Sequence, residues 1–209
     1  MSDDAHLLDA WRAGDDAAGE SLVARHYDTI LRFFRTKAGD DADDLVQRTF
    51  LRCAEPKTVF RGQSSFRAFL YGIARNVLLE HIRACIRDRK VDPDFGVSSI
   101  LDLTPRASTV AFARAQQRQL VQALQRLPVE LQIALELYYW EELSIDEIAA
   151  AVEIPSGTVK SRLYRGRTLL REMIDNAPPD SGLTSVRNEL AKWLADTRAH
   201  SSEAPDKAD

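Results

Sequence analysis

The 209 residues carry 28 Lys and Arg against 32 Asp and Glu, a formal net charge of −4, with 44% hydrophobic and 29% charged residues. This balance excludes an intrinsically disordered chain, and the length allows one large domain or two small ones. No apolar run approaches the ~20 residues of a membrane span, so no membrane insertion is expected. The opening MSDDAHLLDAWRAGDD lacks the basic and apolar stretches of a signal peptide, which leads us to expect a cytoplasmic protein. Cys53 and Cys85 form no CxxC pair, and no disulfide is expected between them in a reducing compartment.

The charge is unevenly distributed. Residues 60–90 hold 7 Lys/Arg against 2 Asp/Glu, and residues 156–175 hold 5 against 2, within an otherwise acidic chain. Two separated basic blocks suit two contacts with one long polyanion, and equally two solvated helix faces.

In chain order, nearly every segment reads as helix. Leu22, Val23, Tyr27, Ile30, Leu31 and Phe34 recur at helical spacing before Gly39. A second helix, about 41–54, ends at Pro56. The polar turn FRGQSS (60–65) leads into a long periodic segment, about 65–89, with Phe66, Leu70, Ile73, Val77 and His81 on one face and Tyr71 and Arg75 away from it. Residues 1–90 thus form a first candidate domain. Residues 91–112, rich in Pro, Gly, Ser and Thr, read as a linker. Helical spacing resumes at Leu120, Leu124 and Leu127, and Pro128 opens a helix bearing Leu131, Leu135 and Tyr138. A second domain spans 113–175. In the extension 176–209, Leu183, Val186, Leu190, Trp193 and Leu194 predict one more amphipathic helix. The expected fold class is all-α: two small helical domains on a flexible linker, plus this terminal helix.

The segment Leu143–Ile174 carries the strongest local signal. Ser144 and Glu147 have the spacing of a capping box. Pro155 and Ser156 punctuate a tight turn, and Ser156 can cap the next helix. Val159, Leu163, Gly166, Leu170 and Ile174 then share one face, while Thr158, Lys160, Ser161, Tyr164, Arg165 and Arg171 spread over the other. A short packing helix followed by a long one with a basic, hydroxyl-bearing face predicts a helix-turn-helix whose second helix suits the major groove. Arginine and lysine can read guanine edges, and hydroxyls can bond bases or phosphates. An ordinary helical hairpin with a solvated face has the same pattern.

TVKSRLYRGRTLLRE (158–172) resembles region 4 of extracytoplasmic-function (ECF) sigma factors of the sigma-70 family, and LQRLPVELQIALELYYWEELS resembles the leading half of that region. Glu153 stands where the family often has glycine. The helix-turn-helix alone would also suit a LuxR-type regulator. DDADDLVQRTFLRC (40–53), however, resembles region 2.2, and FRGQSSFRAFLYGIARNVLLEHIR (60–83) resembles regions 2.3 and 2.4; Arg48 replaces a usual glutamate. The resemblance implies a promoter-specificity subunit that catalyses nothing itself and needs no cofactor. It implies partners too: the clamp helices and flap of the RNA polymerase core, promoter DNA, and an anti-sigma factor or other regulator. On the matching positions it implies −35 contacts by Ser156, Thr158, Lys160, Ser161, Arg162, Tyr164 and Arg165. The −10 contacts would be Phe60, Arg61, Gln63, Ser64, Tyr71, Arg75 and Asn76, and the polymerase contacts Asp43, Asp44, Leu45 and Gln47. Opening a duplex needs a pocket for an extruded base and a surface for single-stranded DNA, which polar, aromatic and arginine side chains can supply. Phe66 and Phe69 read as core. His81 and Cys85, four residues apart, could share a metal, but no further Cys or His completes a set.

Overall fold

The computed structural model describes residues 3–55, 60, 62, 64–88 and 121–176. The expected linker, the Pro178–Pro179 turn and the terminal helix after it lie outside the described residues. Among those described, all regular structure is helical. The elements are α1 (Asp3–Arg12), α2 (Asp16–Ala38), a 3-10 turn (Gly39–Asp41), α3 (Ala42–Ala54), α4 (Phe66–Asp88), α5 (Val129–Tyr139), α6 (Ile145–Val152) and α7 (Ser156–Asp175), with residues 121–125 also helical.

Local chemistry sets the ends. The Asp15 carboxylate accepts from the Ala18 amide at 3.1 Å and starts α2. Ser144 and Glu147 form the expected capping box at the start of α6. At the other end of α6 Glu153 adopts the left-handed conformation, φ 55° and ψ 45°. This is the position where the sequence departs from glycine. The turn keeps its geometry, and a side chain is held in a conformation that only glycine takes without strain.

Helices α1–α4 pack around Leu22, Ile30, Phe34, Leu45, Leu70, Val77 and Leu78, all fully buried. Helices α5–α7 pack around Leu127, Leu131, Leu135, Ile148, Val159, Leu163 and Leu170. The two groups are not separate. Helix α5 is buried from Leu131 to Leu137 without interruption, because α7 covers one side and α2 approaches the other. Helix α4 meets α6 so closely that a Cβ on Gly72 would lie 2.9 Å from the Ala151 carbonyl oxygen.

Candidate nucleic-acid interface

On α7 the two predicted faces separate as expected. Val159, Leu163, Gly166 and Leu170 are buried, while Lys160, Ser161, Tyr164, Arg165 and Arg171 are exposed. Gly166 permits the packing, since a Cβ there would lie 2.9 Å from Leu135 Cδ1. The Ser156 hydroxyl donates to Asp146 at 2.6 Å and ties the first turn of α7 to α6. Thr158 is half-buried, and Arg162 turns back to pair with Glu130 of α5. Of the residues expected to contact the −35 element, Lys160, Ser161, Tyr164 and Arg165 are therefore the open ones, with Arg171 exposed further along the helix. Tyr164, 69% exposed, is one of two large hydrophobic residues left in solvent among the described residues.

The candidates on the α4 side are less uniformly placed. Phe60 is half-buried in an aromatic cluster, its ring centroid 5.8 Å from Phe66 and 5.1 Å from Phe69. It anchors the loop against the core. Phe66 is buried, as expected of a core residue, and Phe69 is half-buried beside it. Ser64 is half-buried, Asn76 is exposed, and Arg61 and Gln63 lie outside the described residues. Tyr71 corrects an expectation. Placed by periodicity away from the packed face, it is only 2% exposed. Helix α4 has two buried faces, and Tyr71 lies where α2 and the second helical group meet it: its ring stands 5.6 Å from that of Phe33 of α2, with the Glu141 carboxylate close by. Burial pushes its phenol pKa up, and the Glu141 carboxylate adds to the effect. Arg75 is half-buried in the same place; burial pulls its pKa down, against the carboxylate of Glu130.

On α3, Asp43, Asp44 and Gln47 are exposed. Asp43 accepts from the Tyr27 hydroxyl at 2.9 Å. Leu45 is fully buried, so the expectation that it touches a partner is corrected; it holds α3 in the core. Sequence reasoning missed Leu51, which is 59% exposed and lies one helical turn from Gln47, on the face that also carries Asp44 and Arg48. The signal is present in the spacing. His81 Nε2 stands 3.6 Å from Cys85 Sγ and 3.5 Å from Asp41 Oδ2, but among the described residues no group of three or more potential ligands could hold a metal. Cys53 is buried, and burial pushes its thiol up to about 12.

Residues 22–87 match Sigma-70 region 2, and residues 117–170 match Sigma-70, region 4. The chain is 32% identical over 173 residues to the ECF RNA polymerase sigma factor SigM of Mycobacterium tuberculosis, covering 82% of this chain and 84% of the relative. It is 33% identical to the RNA polymerase sigma-H factor of Pseudomonas aeruginosa over 83% of this chain and 93% of that one. The chain belongs to the ECF sigma factors of the sigma-70 family. As a sigma factor it serves RNA polymerase in promoter recognition through regions 2 and 4, and it is not an enzyme. The region 2 match over α2–α4 excludes the LuxR-type alternative, which the helix-turn-helix alone left open. The fold also resembles CnrH in complex with the cytosolic domain of CnrY (TM-score 0.59, 23% identity, 84% of this chain and 99% of that one). A similar likeness holds to the sigma factor RpoE of Bartonella quintana in complex with the anti-sigma factor NepR (TM-score 0.60, 22% identity, 76% and 98%). No described helix of this sigma factor is long and apolar enough to cross a membrane.

Proposed function

We propose a division of labour among named surfaces of this sigma factor, with domains at 1–90 and 113–175, a linker at 91–112 and an extension at 176–209. The exposed face of α7 reads the −35 element, with Lys160, Ser161, Tyr164 and Arg165 as the contacting residues. Ser156, Thr158 and Arg162 set the pose of that helix. The loop 60–65 with Arg75 and Asn76 reads and melts the −10 element, and Tyr71 joins them only where the second helical group has moved away. Asp43, Asp44, Gln47 and Leu51 present α3 to the polymerase clamp, while Leu45 supports them from within. The protein works in the cytoplasm, and an anti-sigma factor restrains it, in keeping with the complexes of CnrH and RpoE.

The observation that carries this reading is the division of α7 into one buried apolar face and one exposed basic face that includes an unburied tyrosine. Its test is run-off transcription with core polymerase on promoters selected by the reconstituted holoenzyme. Specific transcripts that vanish when either the −35 or the −10 element is scrambled are expected. Transcripts insensitive to the −35 element would overturn the role given to α7.

A further inference from the structure

Of the two cysteines, Cys53 is buried and Cys85 is half-buried near the end of α4. Cys85 Sγ stands 3.6 Å from Nε2 of His81, one helical turn earlier. The same ring nitrogen stands 3.5 Å from Oδ2 of Asp41, in the 3-10 turn that precedes α3. The imidazole is mostly covered and the carboxylate mostly open, with side-chain exposures of 19% and 56%. A nucleophile, a base and a carboxylate beside the base thus meet at one nitrogen, from two separate elements.

The placing of Asp41 is a second observation. It stands just before α3, where an aspartate ordinarily bonds the first amides of the helix, yet its side chain makes no such bond. Its carboxylate faces His81 instead. Cys53 offers the contrast: burial pushes its thiol up to about 12, which keeps it protonated and inert.

A thiol reacts as its thiolate. Nε2 of a neutral His81 can accept the Sγ proton, and the imidazolium so formed lies against both the thiolate and the Asp41 carboxylate. The thiolate then attacks one oxygen of hydrogen peroxide. An S–O bond forms and the O–O bond breaks, and the sulfur is oxidised by two electrons to a sulfenic acid. The departing hydroxide takes the proton held on Nε2 and leaves as water. The added oxygen needs the space between sulfur and ring, so the ring must turn away from Asp41. The first turn of α3, directly after Asp41, carries Asp43 and Asp44, both exposed.

We propose that Cys85 is a peroxide-sensitive thiol, activated by His81 and Asp41, whose oxidation displaces the start of α3 and weakens the hold of this sigma factor on core polymerase. The second half rests on the assignment of Asp43 and Asp44 to the polymerase surface. The first half does not.

The full reduced chain is treated with hydrogen peroxide in the presence of dimedone, which traps sulfenic acid, and mass spectrometry places the adduct. In an unfolded chain a thiol is mostly protonated at neutral pH, so Cys85 is expected to react roughly tenfold faster in the folded protein than in denaturant, although folding half-buries it. Cys53 is expected to react only on unfolding. His81→Gln keeps a polar side chain there but takes up no proton, and should slow Cys85 to the unfolded rate or below. Circular dichroism shows whether the helices persist. If this variant loses helix, Asp41→Asn takes its place with a smaller slowing, and if both do, the folded and unfolded wild-type rates decide. After peroxide is removed, the oxidised wild type should bind core polymerase roughly tenfold more weakly, the size of one lost charge-assisted contact. Dithiothreitol should restore it, and Cys85→Ser should bind equally with and without treatment. A folded rate for Cys85 no faster than the unfolded one, a helical His81→Gln chain that reacts as wild type does, or full core affinity after oxidation would each overturn the proposal. Wild-type core affinity in a reduced Asp43→Asn, Asp44→Asn chain would instead strike the assignment of α3, whatever the thiol does.

Discussion

Arg165 and Lys160 are both exposed on α7, yet they are not equivalent chemically. A guanidinium can bond two acceptors of one guanine, whereas an ammonium suits a phosphate. Arg165→Ala is therefore expected to cost about 1–3 kcal/mol of binding to the selected −35 element and little on a scrambled one. Lys160→Ala should weaken both equally and reduce the salt dependence of log K by about one contact, a slope change of roughly 0.9. Titrating holoenzyme against both promoters over a salt series separates the two; identical behaviour of the two variants would sink the base-reading role of Arg165. Leu51 makes a second case at this scale. Its side chain is largely in water, so Leu51→Ala should leave the thermal midpoint within the small range of surface substitutions, about 0.5 kcal/mol, while lowering affinity for core polymerase. A large loss of stability with unchanged core binding would show that the residue faces inward in solution.

At the scale of elements, most of the fold is legible in the sequence because helical period and capping chemistry agree. Ser144 with Glu147, the apolar row Val159–Leu163–Gly166–Leu170 and the stop at Gly39 each appear in the structure as read. Periodicity misplaces Tyr71 for a physical reason: it assigns each helix one buried face, and α4 has two. Glu153 stands out in the sequence as a departure from glycine, and its positive φ of 55° explains why the family prefers glycine there. Holding a residue with a Cβ in this conformation costs about 1–2 kcal/mol. Glycine removes that strain but gains freedom in the unfolded chain, so the net effect of Glu153→Gly is smaller, about 1 kcal/mol of stabilisation. Thermal unfolding of the full chain followed by circular dichroism should show a higher midpoint for the variant. A lower midpoint would mean that the Glu153 side chain makes a contact in solution stronger than the strain it carries.

At the scale of the whole molecule, the sequence points to two helical groups and a linker but not to their contact. Lys37 of α2 pairs with Glu136 of α5 and both are buried, yet nothing local in the sequence distinguishes a buried ion pair from two exposed ends of amphipathic helices. The one hint is α5 itself, VELQIALELYY, which is too apolar for a helix packed on one side only. The contact can be tested by substitution. Replacing a buried ion pair by apolar residues of similar volume is often neutral or stabilising, by as much as about 1–4 kcal/mol, because the desolvation cost disappears. Glu136 also accepts from Gln132, a buried residue whose own carbonyl oxygen has no partner, so that amide must be replaced as well. Lys37→Met, Gln132→Leu and Glu136→Leu together should therefore favour the closed form, and more so because opening would expose three apolar side chains to water. The expected outcome is a higher thermal midpoint with slower formation of promoter complexes. Were the two groups apart in the uncombined protein, the same three residues would lie in solvent. The triple variant would then gain no stability, would associate through its new apolar patch, and would transcribe at the wild-type rate when kept dilute.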